Sequence, residues 1–128
     1  MDADLKPMFE RGLAVRKQVL GEDYVNQALE GADDFSRPLQ EYLTAHAWAA
    51  SWAREGLTHK QRSMLNLAML TALNRGHELK IHIGGALNNG VTKEEIREIF
   101  IHAAVYCGAP AAMESFRIAR EVFAERGI

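Results

Sequence analysis

Residues 58–95 read THKQRSMLNLAMLTALNRGHELKIHIGGALNNGVTKEE, and the fold is decided by how this stretch is punctuated. Thr58 with Gln61 three residues later forms a capping-box pattern that predicts a helix start. Met64 to Leu73 is apolar almost all the way round, interrupted mainly by Asn66 and Thr71. A helix without a solvent face belongs in a core or against another subunit, so self-association is expected. Arg75-Gly76 marks a bend. His77 to Leu87 resumes helical spacing, although Gly84-Gly85 lowers its propensity. Asn88-Asn89-Gly90 supplies a glycine stop, and Thr92 with Glu95 is a second capping box that opens the next helix.

Within this stretch Arg75, Glu78 and His82 are spaced by three and four residues. On a helix advancing ~100° per residue they would form one row on one face. A cation, a carboxylate and an imidazole in a row can bind an anion and move a proton. A salt-bridged stripe on a surface helix would have the same spacing. Ile81, Ile83, Ala86 and Leu87 suggest instead that the helix is mostly covered, and buried charges often mark a site. Spacing leaves both readings open.

Working outward, Leu5, Met8, Phe9, Leu13, Val15, Val19 and Leu20 predict a first helix, which Gly21 stops. Tyr24 to Leu29 reads as a short helix closed by Gly31. Ser36 is an expected N-cap with Pro38 in the first turn, opening a helix that carries Trp48 and Trp52 on one face. Beyond Thr92, Ile96, Ile99, Phe100, Ala103 and Ala104 lead to Cys107, and Gly108-Ala109-Pro110 separates this helix from the last. No useful strand alternation, phosphate loop or internal repeat is present. The expectation is all-α: one domain over residues 1–128.

At 128 residues the chain has one domain's length, and 48% hydrophobic with 25% charged residues argues against disorder. A net charge of −2 without a basic run makes nucleic acid a poor partner. No apolar run reaches the ~18 residues of a membrane span. The acidic start, Met1-Asp2-Ala3-Asp4, is unlike a signal peptide, so a cytoplasmic location is expected. The single cysteine, Cys107, excludes an internal disulfide and reads as a small buried hydrophobe. Of the five histidines, His59 reads as solvated, and His46 and His102 as core or interface residues. His77 and His82 lie ~140° apart on a helical wheel and cannot readily share a metal. No metal site is expected.

The runs Glu78-Leu79-Lys80-x-His82 and Ala86-Leu87-Asn88-Asn89-Gly90-Val91-Thr92-Lys93-Glu94-Glu95-Ile96 closely resemble the carboxymuconolactone decarboxylase family. Leu13-Ala14-Val15-Arg16-x-x-Val19-Leu20-Gly21, Trp48-x-x-x-Trp52, Arg62-Ser63 and Tyr106-Cys107-Gly108-x-Pro110 extend the resemblance over nearly the whole chain. It implies the alkylhydroperoxidase-D-like helical bundle. In that superfamily's peroxidase branch a Cys-x-x-Cys precedes the motif histidine. Aligned on His82, its cysteines fall at Arg75 and Glu78. Thiol–disulfide chemistry needs an attacking thiolate and a resolving partner, so peroxidase activity is not expected.

What the resemblance implies is cofactor-independent decarboxylation of 4-carboxymuconolactone to 3-oxoadipate enol-lactone, in protocatechuate breakdown by the β-ketoadipate route. His82, at the motif position, is the expected proton donor or oxyanion partner, with Glu78 orienting it. Arg62 and Arg75 are expected carboxylate clamps. Trp48, His77, His102 and Tyr106 are candidates for the pocket wall. The partners implied are a small dicarboxylate lactone and further copies of the chain, as a trimer or hexamer. Two alternatives stay open: a non-catalytic helical oligomer of the same superfamily, and a decarboxylase acting on another small acid.

Overall fold

Glycines in the left-handed region end helices where the sequence places them. Gly21, Gly90 and Gly108 have φ of 94°, 87° and 96°. At Thr92 the capping box is complete: Thr92 Oγ1 accepts from the Glu95 backbone N–H and Glu95 Oε1 accepts from that of Thr92. The computed structural model describes residues 1–128 and contains helices and turns without a strand. Its helices are α1 (Lys6–Leu20), α2 (Glu22–Glu30), α3 (Arg37–Leu43), a π-helical stretch (Thr44–Trp52), α4 (His59–Ala72), α5 (Gly76–Asn88), α6 (Lys93–Cys107) and α7 (Ala109–Arg126). No helix is long and apolar enough to cross a membrane. The chain divides into two compact units, Met1–Thr58 and His59–Ile128.

In the Met1–Thr58 unit, α1 packs on the π-helical stretch. Val19, Trp48 and Trp52 form its buried cluster, the two indoles stacked with centroids 4.9 Å apart. Close approach depends on Gly12, where an added Cβ would stand 1.9 Å from the Thr44 carbonyl oxygen. Beside it the buried Arg16 donates through Nη1 to Gln40 Oε1 at 2.9 Å and Thr44 Oγ1 at 3.2 Å. Desolvation lowers the pKa of this guanidinium. Two local expectations change here. Ser36 makes no side-chain cap for α3. Instead Asp33 Oδ1 accepts the Ser36 backbone N–H at 2.9 Å, so the acidic residue anchors the turn. The helix bearing the tryptophans is π-wound after Leu43, a change of winding that the side-chain spacing did not signal.

In the His59–Ile128 unit, α4 to α7 enclose a core of Leu67, Leu79, Ile83, Ala86, Ile96, Phe100, Ile118 and Val122, among others. Phe100 meets Phe116 edge-on with centroids 5.9 Å apart. Thr71 and Ser115 satisfy each other by a buried hydroxyl–hydroxyl hydrogen bond of 2.8 Å. The apolar α4 is not covered all round. Only Ser63, Leu67 and Thr71 are fully buried on it, while Leu65, Met69 and Leu73 are 50%, 51% and 61% exposed. Those three recur at four-residue spacing and form an apolar row on one face. Cys107 is also exposed rather than buried. Ala103 is the last buried residue of α6, and Val105, Tyr106 and Cys107 lie beyond its cover.

Candidate active site

Where α4 and α5 pack together, their interface includes a polar seam. At one end Asn89 Nδ2 donates to Ser63 Oγ at 2.9 Å and approaches the His59 carbonyl at 3.5 Å. These contacts tie the end of α5 to the start of α4. Farther along, Asn66 on α4 reaches His82 on α5, with Asn66 Nδ2 3.4 Å from His82 Nδ1. Arg62 is one turn before Asn66, and Glu78 one turn before His82, each pair sharing a helix face. The helix spacing therefore brings Arg62, Asn66, Glu78 and His82 onto the two facing helices. Arg62 and His82 are half-buried, whereas Glu78 is exposed in the first turn of α5.

Burial fixes the protonation of His82. Removal from water disfavours the imidazolium and lowers its pKa to about 4, against the opposing pull of the Glu78 charge. His82 is thus neutral near pH 7. In the tautomer that accepts this amide at Nδ1, the ring proton lies on Nε2. In that tautomer the neutral imidazole offers Nε2–H as a hydrogen-bond donor for a developing oxyanion. Asn66 was not singled out as a site residue from the sequence. The available signal was that it interrupts the apolar run of α4 one turn after Arg62.

Within the His59–Ile128 unit the structure places the other expected residues apart from this seam. The row of Arg75, Glu78 and His82 breaks at its first member, because Arg75 is the N-cap of α5 with φ −97° and ψ 72°. The turn before it contains Asn74 at φ 57°, so Arg75 is not a helical neighbour of Glu78. It lines a crevice of about 120 Å³ with Thr71, Asn74 and Glu114. Arg75 and Glu78 are both exposed, so a buried-charge argument does not extend to them. His77 lines a separate hollow with Lys80, Arg117 and Glu121. His102 and Tyr106 are exposed, 5.1 Å apart by ring centroids, and line a groove of about 680 Å³ between α4 and α6. Trp48 belongs to the buried cluster of the Met1–Thr58 unit.

Residues 37–121 match the carboxymuconolactone decarboxylase family. The chain belongs to that family. It is 42% identical over 120 residues to a 4-carboxymuconolactone decarboxylase of Acinetobacter baylyi, covering 94% of this chain and 90% of that one. It is 47% identical over 114 residues to a nitrosuccinic acid decarboxylase of Metarhizium robertsii, covering 89% and 80%. A 44-residue match to a 4-carboxymuconolactone decarboxylase of Pseudomonas putida is 41% identical and covers 34% of this chain and 92% of that one. The matched span includes the complete α4–α5 seam.

Proposed function

We propose that this chain is a cofactor-independent carboxy-lyase that converts 4-carboxymuconolactone to 3-oxoadipate enol-lactone, and that His82 works from the α4–α5 seam. The observation that carries the mechanism is the half-buried His82 imidazole whose Nδ1 faces the Asn66 amide at 3.4 Å, an arrangement that suits a neutral ring with its proton on Nε2. The bond from carbon to the departing carboxylate breaks, and carbon dioxide leaves. Its electron pair moves through the unsaturated lactone to the carbonyl oxygen. Nε2–H donates to that oxygen as charge develops, and preorganised donors of this kind contribute roughly 3–4 kcal/mol each. Arg62 holds the retained carboxylate. Return of a proton to carbon quenches the enolate and gives the enol-lactone with its retained carboxylate, and this proton comes from water or another group that is not an imidazolium. Glu78, one turn from His82, tunes the ring electrostatically.

The nitrosuccinic relative, at 47% identity, supports a second reading. A carboxylate beside a nitro group also departs to leave charge on oxygen, as a nitronate. Nitrosuccinate also resembles a di-acid lactone in retaining one carboxylate. The deciding experiment offers purified protein freshly generated 4-carboxymuconolactone and, separately, nitrosuccinate. Carbon dioxide release and the product's NMR spectrum are then followed. Catalysed formation of the enol-lactone is expected, with His82→Gln reducing it. Release from nitrosuccinate alone would establish the second reading, and neither reaction above its spontaneous rate would refute both.

We also infer a homo-oligomer, a trimer or hexamer, acting in the cytoplasm. The row of Leu65 and Met69 on α4 and Leu73 just after it, with exposed Ile101, Val105 and Tyr106 on α6, supports association through apolar faces. A monomer in sedimentation at working concentration would exclude it.

A further inference from the structure

A second concave surface lies between α6 and α7, lined by none of the seam residues. Its volume of about 480 Å³ is within the ~300–1,000 Å³ typical of small-molecule pockets. Half-buried Phe116 and Phe123 supply an aromatic wall, backed by the fully buried Phe100, which meets Phe116 edge-to-face at 63°. Lys93 and Arg97, one turn apart on α6, and Arg120 on α7 supply the charge. Lys93 Nζ stands 5.0 Å from the centroid of the Phe123 ring, so this cation is held against the wall by a cation–π contact.

These three cations lack the carboxylate partners that several cations near them have. Arg117, three residues before Arg120, is bound by Glu114 and Glu121. Lys80 is paired with Glu121 and Glu125, and Lys60 with Glu95. Lys93, Arg97 and Arg120 have no such ion pair. Glu94 is the sole acidic side chain on the lining, leaving a positive excess above phenyl rings. A guanidinium pair suits a carboxylate through two-pronged hydrogen bonding, and the wall suits a flat apolar body.

We propose that the α6–α7 groove binds a small planar aromatic carboxylate, its anionic end at Arg97 and Arg120 and its ring against Phe116 and Phe123. This site is independent of the decarboxylation seam. The test titrates benzoate, with acetate as control, into the full-length ¹⁵N-labelled protein. Saturable shifts are expected in the amides of residues 93–100 and 116–124. Benzoate should bind at least about tenfold more tightly than acetate, because only benzoate buries a ring. Arg97→Gln with Arg120→Gln should weaken benzoate at least about tenfold. These exposed positions should keep the native circular dichroism and leave decarboxylation unchanged. Shifts centred on Asn66 and His82, equal affinity for acetate, or a Kd weaker than about 10 mM would each overturn the proposal. So would groove amides that ignore benzoate but move on dilution, since a second copy would then be the occupant.

Discussion

The neutral state of His82 can be tested by a double difference in stability. A histidine titrating near 6.5 when unfolded and at about 4 in the native chain binds fewer protons when folded throughout that interval. Unfolding therefore takes up a proton there, and acid favours it. The His82 contribution is fully present above the unfolded pKa and is lost progressively as pH falls toward about 4. At pH 5 nearly every unfolded chain, but only about a tenth of native chains, would carry the proton. The corresponding loss between pH 7 and pH 5 is about 2 kcal/mol, rising to roughly 3 kcal/mol below the folded pKa. Such a change is large against a domain stability of ~5–15 kcal/mol.

His82→Gln removes the titration while keeping a polar side chain. Urea unfolding of both proteins, at one protein concentration and at both pH values, cancels the carboxylates they share. The wild-type advantage over His82→Gln should shrink by about 2 kcal/mol on going from pH 7 to pH 5. The His82 ring resonance should move with a midpoint near 4. Catalysis adds an independent reading. A neutral Nε2–H donor leaves kcat/KM level across pH 5.5–8, whereas an imidazolium acid would lose about tenfold per pH unit above its pKa. An unchanged double difference with a ring midpoint between 6 and 7 would refute the buried neutral histidine and the donor role built on it.

Asn66→Asp should draw the ring proton to Nδ1, raise the His82 midpoint and slow decarboxylation by at least about tenfold, because a wrong tautomer is costly. Unaltered turnover with native circular dichroism would rule out Asn66 as the positioning residue. Gly12→Ala puts a Cβ 1.9 Å from the Thr44 carbonyl oxygen and should destabilise the chain by roughly 3 kcal/mol. An unchanged thermal midpoint would refute that close approach.

Features dictated by local chemistry were legible in the sequence. Gly21, Gly90 and Gly108 end elements because left-handed backbone favours glycine, and Thr92 with Glu95 satisfies end groups within one turn. The tryptophan pair followed from its four-residue spacing, and the all-α fold from the same periodicity. What was not legible depended on neighbours. Side-chain spacing did not reveal the π-winding at Thr44. Composition made α4 look buried all round, but hydrophobicity marks a face able to be covered without supplying the cover. Cys107 was misread similarly, since the apolar run of α6 outlasts its packing. Arg75 left the expected row because Asn74 reverses the backbone one residue earlier, an event that wheel geometry assumes away. Asn66 escaped because its role depends on the facing residue of α5, sixteen positions away.

The seam also constrains how the work of a decarboxylase is divided. With a pKa of about 4, roughly one ring in a thousand is protonated near neutrality, which argues against imidazolium as the proton source. Yet desolvation strengthens the Nε2–H as an electrostatic donor, because a hydrogen bond gains when water is excluded. The same burial thus weakens one expected role and favours the other. It also explains why Glu78 is better placed exposed and one turn away than pressed against the ring. A buried adjacent carboxylate would raise the imidazole pKa and restore the cation that the helix packing removes. An amide such as that of Asn66, 3.4 Å from Nδ1, can direct the ring proton without adding charge, and so favours one tautomer while leaving the imidazole neutral.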